Sequence, residues 1–284
     1  MIRVAIARGA NPVETTVKAL DMIMSDIDSV LAAKKPFLIK PNYINAKHPS
    51  TGITTDSRVI EGTVKFLRAH KVDEIIIGEG SGFADTLQAF KTAGVDAVAE
   101  RWGVRLVDLN KDEFIEVDPP DPLALKKVKV AKTALESTLI SVPKLKLHRI
   151  ATVTLSLKNM MGALASKGSM HTGRLSKNIA DLASILKPSI SVIDGVIASE
   201  GHETSGKPVE MNLVITGTDP VAVDAVGAAV MGVGPTDVKH LVLAEKKGLG
   251  TCNLEEITVL GESIESVKRK FHKSFSSRLL VHFG

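Results

Sequence analysis

The chain has 284 residues, 44% of them hydrophobic, with 36 Lys and Arg against 32 Asp and Glu and one cysteine. Domains run to roughly 100–200 residues, so this length suits one large domain or two intimate lobes, and no apolar run reaches the roughly 18 residues of a membrane span. The net charge of +4 is concentrated in the tail, where Lys268, Arg269, Lys270, Lys273 and Arg278 stand without an acid; with one Trp and one Tyr for base stacking, this argues against a nucleic-acid partner.

Short β-branched runs alternate with amphipathic segments, which predicts an α/β fold with a mostly parallel sheet flanked by helices. A strand at 3–7 leads into a helix over 12–33. Strands at 36–40 and 74–78 are followed by helices over 56–70 and 83–93. Strands at 104–109, 126–130, 138–142 and 152–157 come next, then helices over 159–165 and 176–186. Strands at 189–194 and 211–216, helices over 219–231 and 235–247, and a strand at 257–260 complete the pattern. The stretch EVDPPDPLAL at 116–125 breaks both helix and strand and is the best candidate boundary within a single domain over 1–284, between lobes at 1–118 and 119–262; it need not separate independent domains, since a chain can leave one α/β lobe there and return to it later. Residues 263–284 read as a basic amphipathic helix, with Val267, Phe271, Phe275 and Leu279 four apart, suited to dock on the parent domain or on an oligomer partner. The opening MIRVAIARGANP lacks the charged, apolar, then small order of a signal peptide, so a cytoplasmic protein is expected.

In open α/β sheets, ligands sit beyond the carboxyl ends of strands. The polar residues that follow strands are therefore the candidates. In KPN, Lys40 ends an apolar run and offers a charge for an anion, with Asn42 as orienter; a plain strand-ending turn is the alternative. Thr55 and Asp56 precede a helix and read either as its N-cap or as the rim of an anion site at a helix start. The loop Gly78–Gly82 (GEGSG) matches neither a dinucleotide fingerprint nor a Walker loop, which leaves a tight turn or a weak phosphate cradle.

The densest signal spans 142–174, VPKLKLHRIATVTLSLKNMMGALASKGSMHTGR. It holds Lys144, Lys146, His148, Lys158, Asn159, Lys167, His171 and Arg174 and no acid. A lysine near other cations, or partly desolvated, loses proton affinity and becomes a base near neutral pH. Lys144, Lys146, His148, Lys158 and His171 are the candidate catalytic residues, and Asn159 a ligand-orienting one. Asp194, Glu200, Asp219 and Asp224 would tune the lysines or touch ligand. Asp219 before Pro220 also reads as an N-cap, and Asp224, among apolar neighbours, needs a buried partner. Glu200, His202 and Glu203 lack the spacing of a defined metal motif, so a metal is neither assigned nor dismissed. Cys252 reads as a packed thiol; one thiolate alone does not hold an iron–sulfur cluster, which needs about four.

Taken together, KPN at 40–42, TTD at 54–56, VPKLKLH at 142–148, SLKNMMG at 156–162, His171, IDG at 193–195, EG at 200–201 and TDPVAVDAVG at 218–227 resemble the family catalogued as domain of unknown function 362. That family occurs in archaea and bacteria, sometimes joined to ferredoxin-like iron–sulfur modules, and brings no agreed reaction. Members often read EG-x-G-P after the IDG strand, whereas this chain has EGHET at 200–204. The residues point to a Lys/His-rich cleft for a small carboxylate or phosphate metabolite, acted on by proton transfer. The resemblance implies an alternative, a non-catalytic accessory module for an iron–sulfur or redox protein.

Overall fold

The computed structural model describes residues 1–274. The chain opens with β1 (Ile2–Arg8), α1 (Pro12–Met22), α2 (Met24–Leu31), β2 (Phe37–Pro41), α3 (Ser57–Ala69), β3 (Ile75–Glu79), α4 (Thr86–Ala93), α5 (Val95–Trp102) and β4 (Arg105–Asp108). Its middle holds β5 (Phe114–Val117), β6 (Val128–Ala131), α6 (Lys132–Glu136), β7 (Thr138–Val142), β8 (Lys144–His148), β9 (Thr152–Thr154) and α7 (Ser156–Asn159). It closes with α8 (Leu175–Ile185), β10 (Ile190–Glu200), β11 (Lys207–Gly217), α9 (Pro220–Val230), α10 (Lys239–Lys246), β12 (Ile257–Gly261) and α11 (Ile264–Val267).

Ten strands form one sheet, ordered β12-β1-β11-β10-β7-β2-β3-β4, with β8 and β9 branching from β10. Pairing is parallel except where β11 meets β1 and β10, and where β8 meets β9. β5 and β6 form a separate antiparallel pair. The period-2 alternation of strand side chains feeds two cores. Ala5, Phe37, Ile39, Ile75, Ile77 and Ile140 face α1 to α5. Val4, Ile6, Leu38, Ile76, Leu139 and Ile193 face α7 to α10. An α/β fold with a mostly parallel sheet flanked by helices is what the strand and helix alternation predicts. Among the described residues, no helix is long and apolar enough to cross a membrane.

Three local expectations change. The helix over 12–33 breaks at Ile23, whose backbone leaves the helical region (φ −109, ψ 19). The strand at 152–157 stops at Thr154, because Asp224 caps the amides of Ser156 and Leu157 and starts α7 there. Across the break at 118/119 the chain returns to the same sheet: β1 pairs with β11 and β12, and β2 with β7. The helix over 263–284 is only the short α11 in its described part. Beyond Val267 the amides of Arg269 and Phe271 donate to Val230 O (2.9 Å) and Met231 O (3.0 Å), capturing carbonyls left orphaned at the end of α9. Phe271 is buried; Phe275 and Leu279 lie outside the described residues.

The sheet forks at β10. Its first half pairs with β7 at Ile190 and Ser191, and its second half with β8 at Asp194 and Ser199. Pro143 separates β7 from β8, so the two act as one bent strand that leaves β2 and opens a crevice beyond the carboxyl ends of β2 and β3.

Candidate functional site

The crevice holds a cavity of about 580 Å³. Its deepest charge is Lys40, the last polar residue of β2, facing the same side as Leu38 and therefore towards α7. Its ammonium is buried and donates to both Glu79 carboxylate oxygens (2.9 Å each), to Pro41 O (2.9 Å) and to Asn159 Oδ1 (3.2 Å). Burial lowers the Lys40 pKa, and Glu79 opposes that shift. Asn159 Nδ2 donates to Lys40 O (2.9 Å) and Ser141 Oγ (3.1 Å). A carbonyl only accepts, so this bond fixes the Asn159 amide and leaves its Oδ1 to accept from Lys40 and from Asn42 Nδ2 (3.0 Å). Gly162 packs directly on this knot: a Cβ there would overlap Glu79 Oε1 and stand 2.6 Å from Lys40 Nζ.

The next layer comes from β8. Leu145 and Leu147 enter one core, so Lys144, Lys146 and His148 share the opposite face. Lys146 Nζ is buried and donates to Ile53 O (2.8 Å) and Glu203 O (3.2 Å), with no carboxylate within ion-pair distance. Burial, then the charges of Lys158 and Lys144, lower its pKa to about 7. His148 Nδ1 accepts from the amides of Ile150 (3.1 Å) and Ala151 (3.0 Å), which places the ring proton on Nε2. Burial and the nearby lysines hold His148 neutral, far below the usual histidine range. With Nδ1 occupied by these two amides, it presents a fixed Nε2–H donor.

Lys158, on α7, is half-buried and makes no hydrogen bond or ion pair with the described residues; desolvation lowers its pKa to about 8. His171 is exposed at the cavity edge, its ring stacked 6.4 Å from that of His148. His171 Nδ1 donates to Lys167 O (3.2 Å), leaving Nε2 as the basic nitrogen, and desolvation lowers its pKa. Lys167 bonds Asn110 Oδ1 and Leu164 O. The two carboxylates that line the cavity are both engaged, Glu79 by Lys40 and Glu203 by Arg149 (3.2 Å). Lys146, Lys158 and Lys167 thus face one space without a carboxylate partner among the described residues.

The structure therefore gathers Lys40, Asn42, Lys146, His148, Lys158, Asn159 and His171 around one cavity. Other candidates lie elsewhere. Lys144 is sealed in an ion pair with Asp194 (2.7 Å), both fully buried, so neither faces the cavity as a base or ligand contact. Thr55 Oγ1 bridges Asn42 N (2.8 Å) and Val142 O (2.9 Å), bracing the KPN turn from behind. Asp56 caps α3 and pairs with Arg58. Asp219 caps α9 through the amides of Val221 and Ala222 (2.9 Å each). Asp224 meets the amides of Ser156 (2.7 Å) and Leu157 (3.0 Å), not a lysine. Glu200 Oε2 accepts from His272 N (2.8 Å). Among the described residues, no group of three His, Cys, Asp or Glu is gathered as metal ligands. Glu79 and Gly162 complete the site without standing among the candidates, and Lys167 and Glu203 join it from the basic stretch and from the loop after β10.

A basic crevice at the strand ends of an α/β sheet defines the class of protein. The chain belongs to the family described as Domain of unknown function (DUF362), which matches residues 37–229. The Thylakoid-associated protein sll1697 of Synechocystis sp. (strain ATCC 27184 / PCC 6803 / Kazusa) is 21% identical over 222 residues, spanning 75% of this chain and 68% of that protein. No solved structure matches the chain. The matched family span contains every cavity residue from Lys40 to Thr204.

Proposed function

We propose that the cleft binds a small carboxylate or phosphate metabolite and moves a proton on it. The observation that carries this reading is Lys158, a desolvated ammonium without a hydrogen bond or ion pair among the described residues, beside Lys146 and Lys167 in one cavity. A group of unpaired cations in low dielectric is a strong attractor for an anion. Lys158 and Lys146 hold the charge. His148 Nε2–H donates to an oxygen on which charge develops, as a preorganised dipole. His171, neutral and open at Nε2, takes or returns the proton, and Lys146, poised near neutrality, is the second group able to do so. The Lys40–Glu79–Asn159 knot keeps α7 and β2 in register. We assign the protein to the cytoplasm in this reading. No arrangement among the described residues favours an accessory role toward an iron–sulfur or redox protein over this one.

Thermal-shift and calorimetric titrations with inorganic phosphate and acetate test the proposal. The wild-type protein is expected to gain stability with rising anion, and Lys158→Ala to lose at least tenfold in affinity while keeping its unfolding temperature without anion. No anion response in the wild type, or an equal one in the variant, overturns it.

A further inference from the structure

The cavity is far larger than its proposed anion. A water occupies roughly 30 Å³ in the liquid, and acetate or phosphate only a few times that, against about 580 Å³ here. The remaining space is not lined at random. Lys40, Lys146 and Asn159 are 1 to 2% exposed and form the floor, whereas Phe83 is 77% and Ile150 48% exposed and stand at the rim. Single exposed apolar side chains are ordinary. Here two of the five large ones among the described residues border the same cavity.

Both are also held in place. Phe83 N donates to Ile44 O (2.9 Å), and Gly82 lets this loop lie against Ile44, since a Cβ there would stand 2.8 Å from Ile44 Cδ1. Ile150 rides on the turn whose amides bond His148 Nδ1, so the rim is fixed to a ring that faces the floor. We propose that the ligand is amphipathic, with an anionic head at Lys146, Lys158 and His171 and an aliphatic or aromatic body against Phe83, Ile44 and Ile150. This inference rests on the anion reading above and adds the class of molecule that carries the anion.

Calorimetry on the full chain with acetate, butanoate, hexanoate and octanoate, and in parallel with inorganic phosphate and phenyl phosphate, tests it. Affinity should rise about fourfold per added methylene, the factor corresponding to about 0.8 kcal/mol, until the chain clears the rim; the tighter binder of acetate and inorganic phosphate identifies the head group. In the Phe83→Ser/Ile150→Ser variant, where both substitutions fall on exposed positions, the longer members should converge on the affinity of the shortest. If acetate or phosphate binds in a Lys158-dependent way but the series is flat, or its slope survives in the double variant, the amphipathic ligand is overturned and the anion site stands. If no member binds, the anion reading falls and this inference with it.

Discussion

At the residue scale, two lysines two positions apart on one strand do different work. Lys144 and Asp194 neutralise each other in full burial, and Lys146 faces the cavity without a counter-ion. Removing one partner of a buried pair strands the other charge, at a cost of about 3–5 kcal/mol. Lys144→Ala is therefore expected to lower the urea midpoint severely, and Lys144→Ala/Asp194→Ala to recover part of the loss. The pH behaviour of the site follows from Lys146 and Lys158, with pKa values lowered to about 7 and about 8. Both are cationic below these values and neutral above them, so anion affinity should be greatest below pH 7 and fall as pH rises through 7 and then 8. A bound anion favours the charged forms, so binding near pH 7.5 should take up protons. Calorimetry in buffers of different ionisation enthalpy measures that uptake, and a pH-independent affinity would contradict the assignment.

At the scale of elements, the site depends on where α7 begins. Asp224, buried in α9 and raised to about 7 by desolvation, receives the first two amides of α7 and so sets the position of Lys158 and Asn159. Asp224→Ala leaves two buried N–H groups unpaired, each costing about 1–3 kcal/mol. Urea unfolding should show that loss, and anion affinity should fall although Asp224 does not border the cavity; Asp224→Asn, which keeps one acceptor oxygen, should restore part of both. The sequence made α9 legible through Asp219–Pro220 and an apolar run, but not the partner of Asp224, which comes from residues 68 and 67 positions away. β8 was legible in principle: KLKLH alternates with period 2, yet its charge reads as a loop until the second half of β10 is known to need a neighbour. The start of α7 was hidden because TVTLSL is a good strand by composition, and only the distant carboxylate decides against it.

At the scale of the molecule, the sheet was readable because β1, β2 and β3 are each a short apolar run followed by a helix. The prolines at 119, 120 and 122 mark a break in secondary structure but carry no information about which strands pair across it. The cavity shares this property. Its residues run from Lys40 to Thr204 and meet only through the fork at β10. Cations spread over several strand ends suggested convergence, while the pairing of Lys144 and the freedom of Lys158 are decided by packing.

The position of β1 bears on how such a chain assembles. Its two neighbours are β11 and β12, which lie more than two hundred residues later. During synthesis β2, β3 and β4 can pair with one another as they emerge, but β1 must wait for β11 and β12. Until then its backbone edges stay open, and the chain must close its longest loop before that part of the sheet exists. Long-range pairing of this kind slows folding and lengthens exposure to association with other chains. β1 is thus among the last of the described strands to be secured.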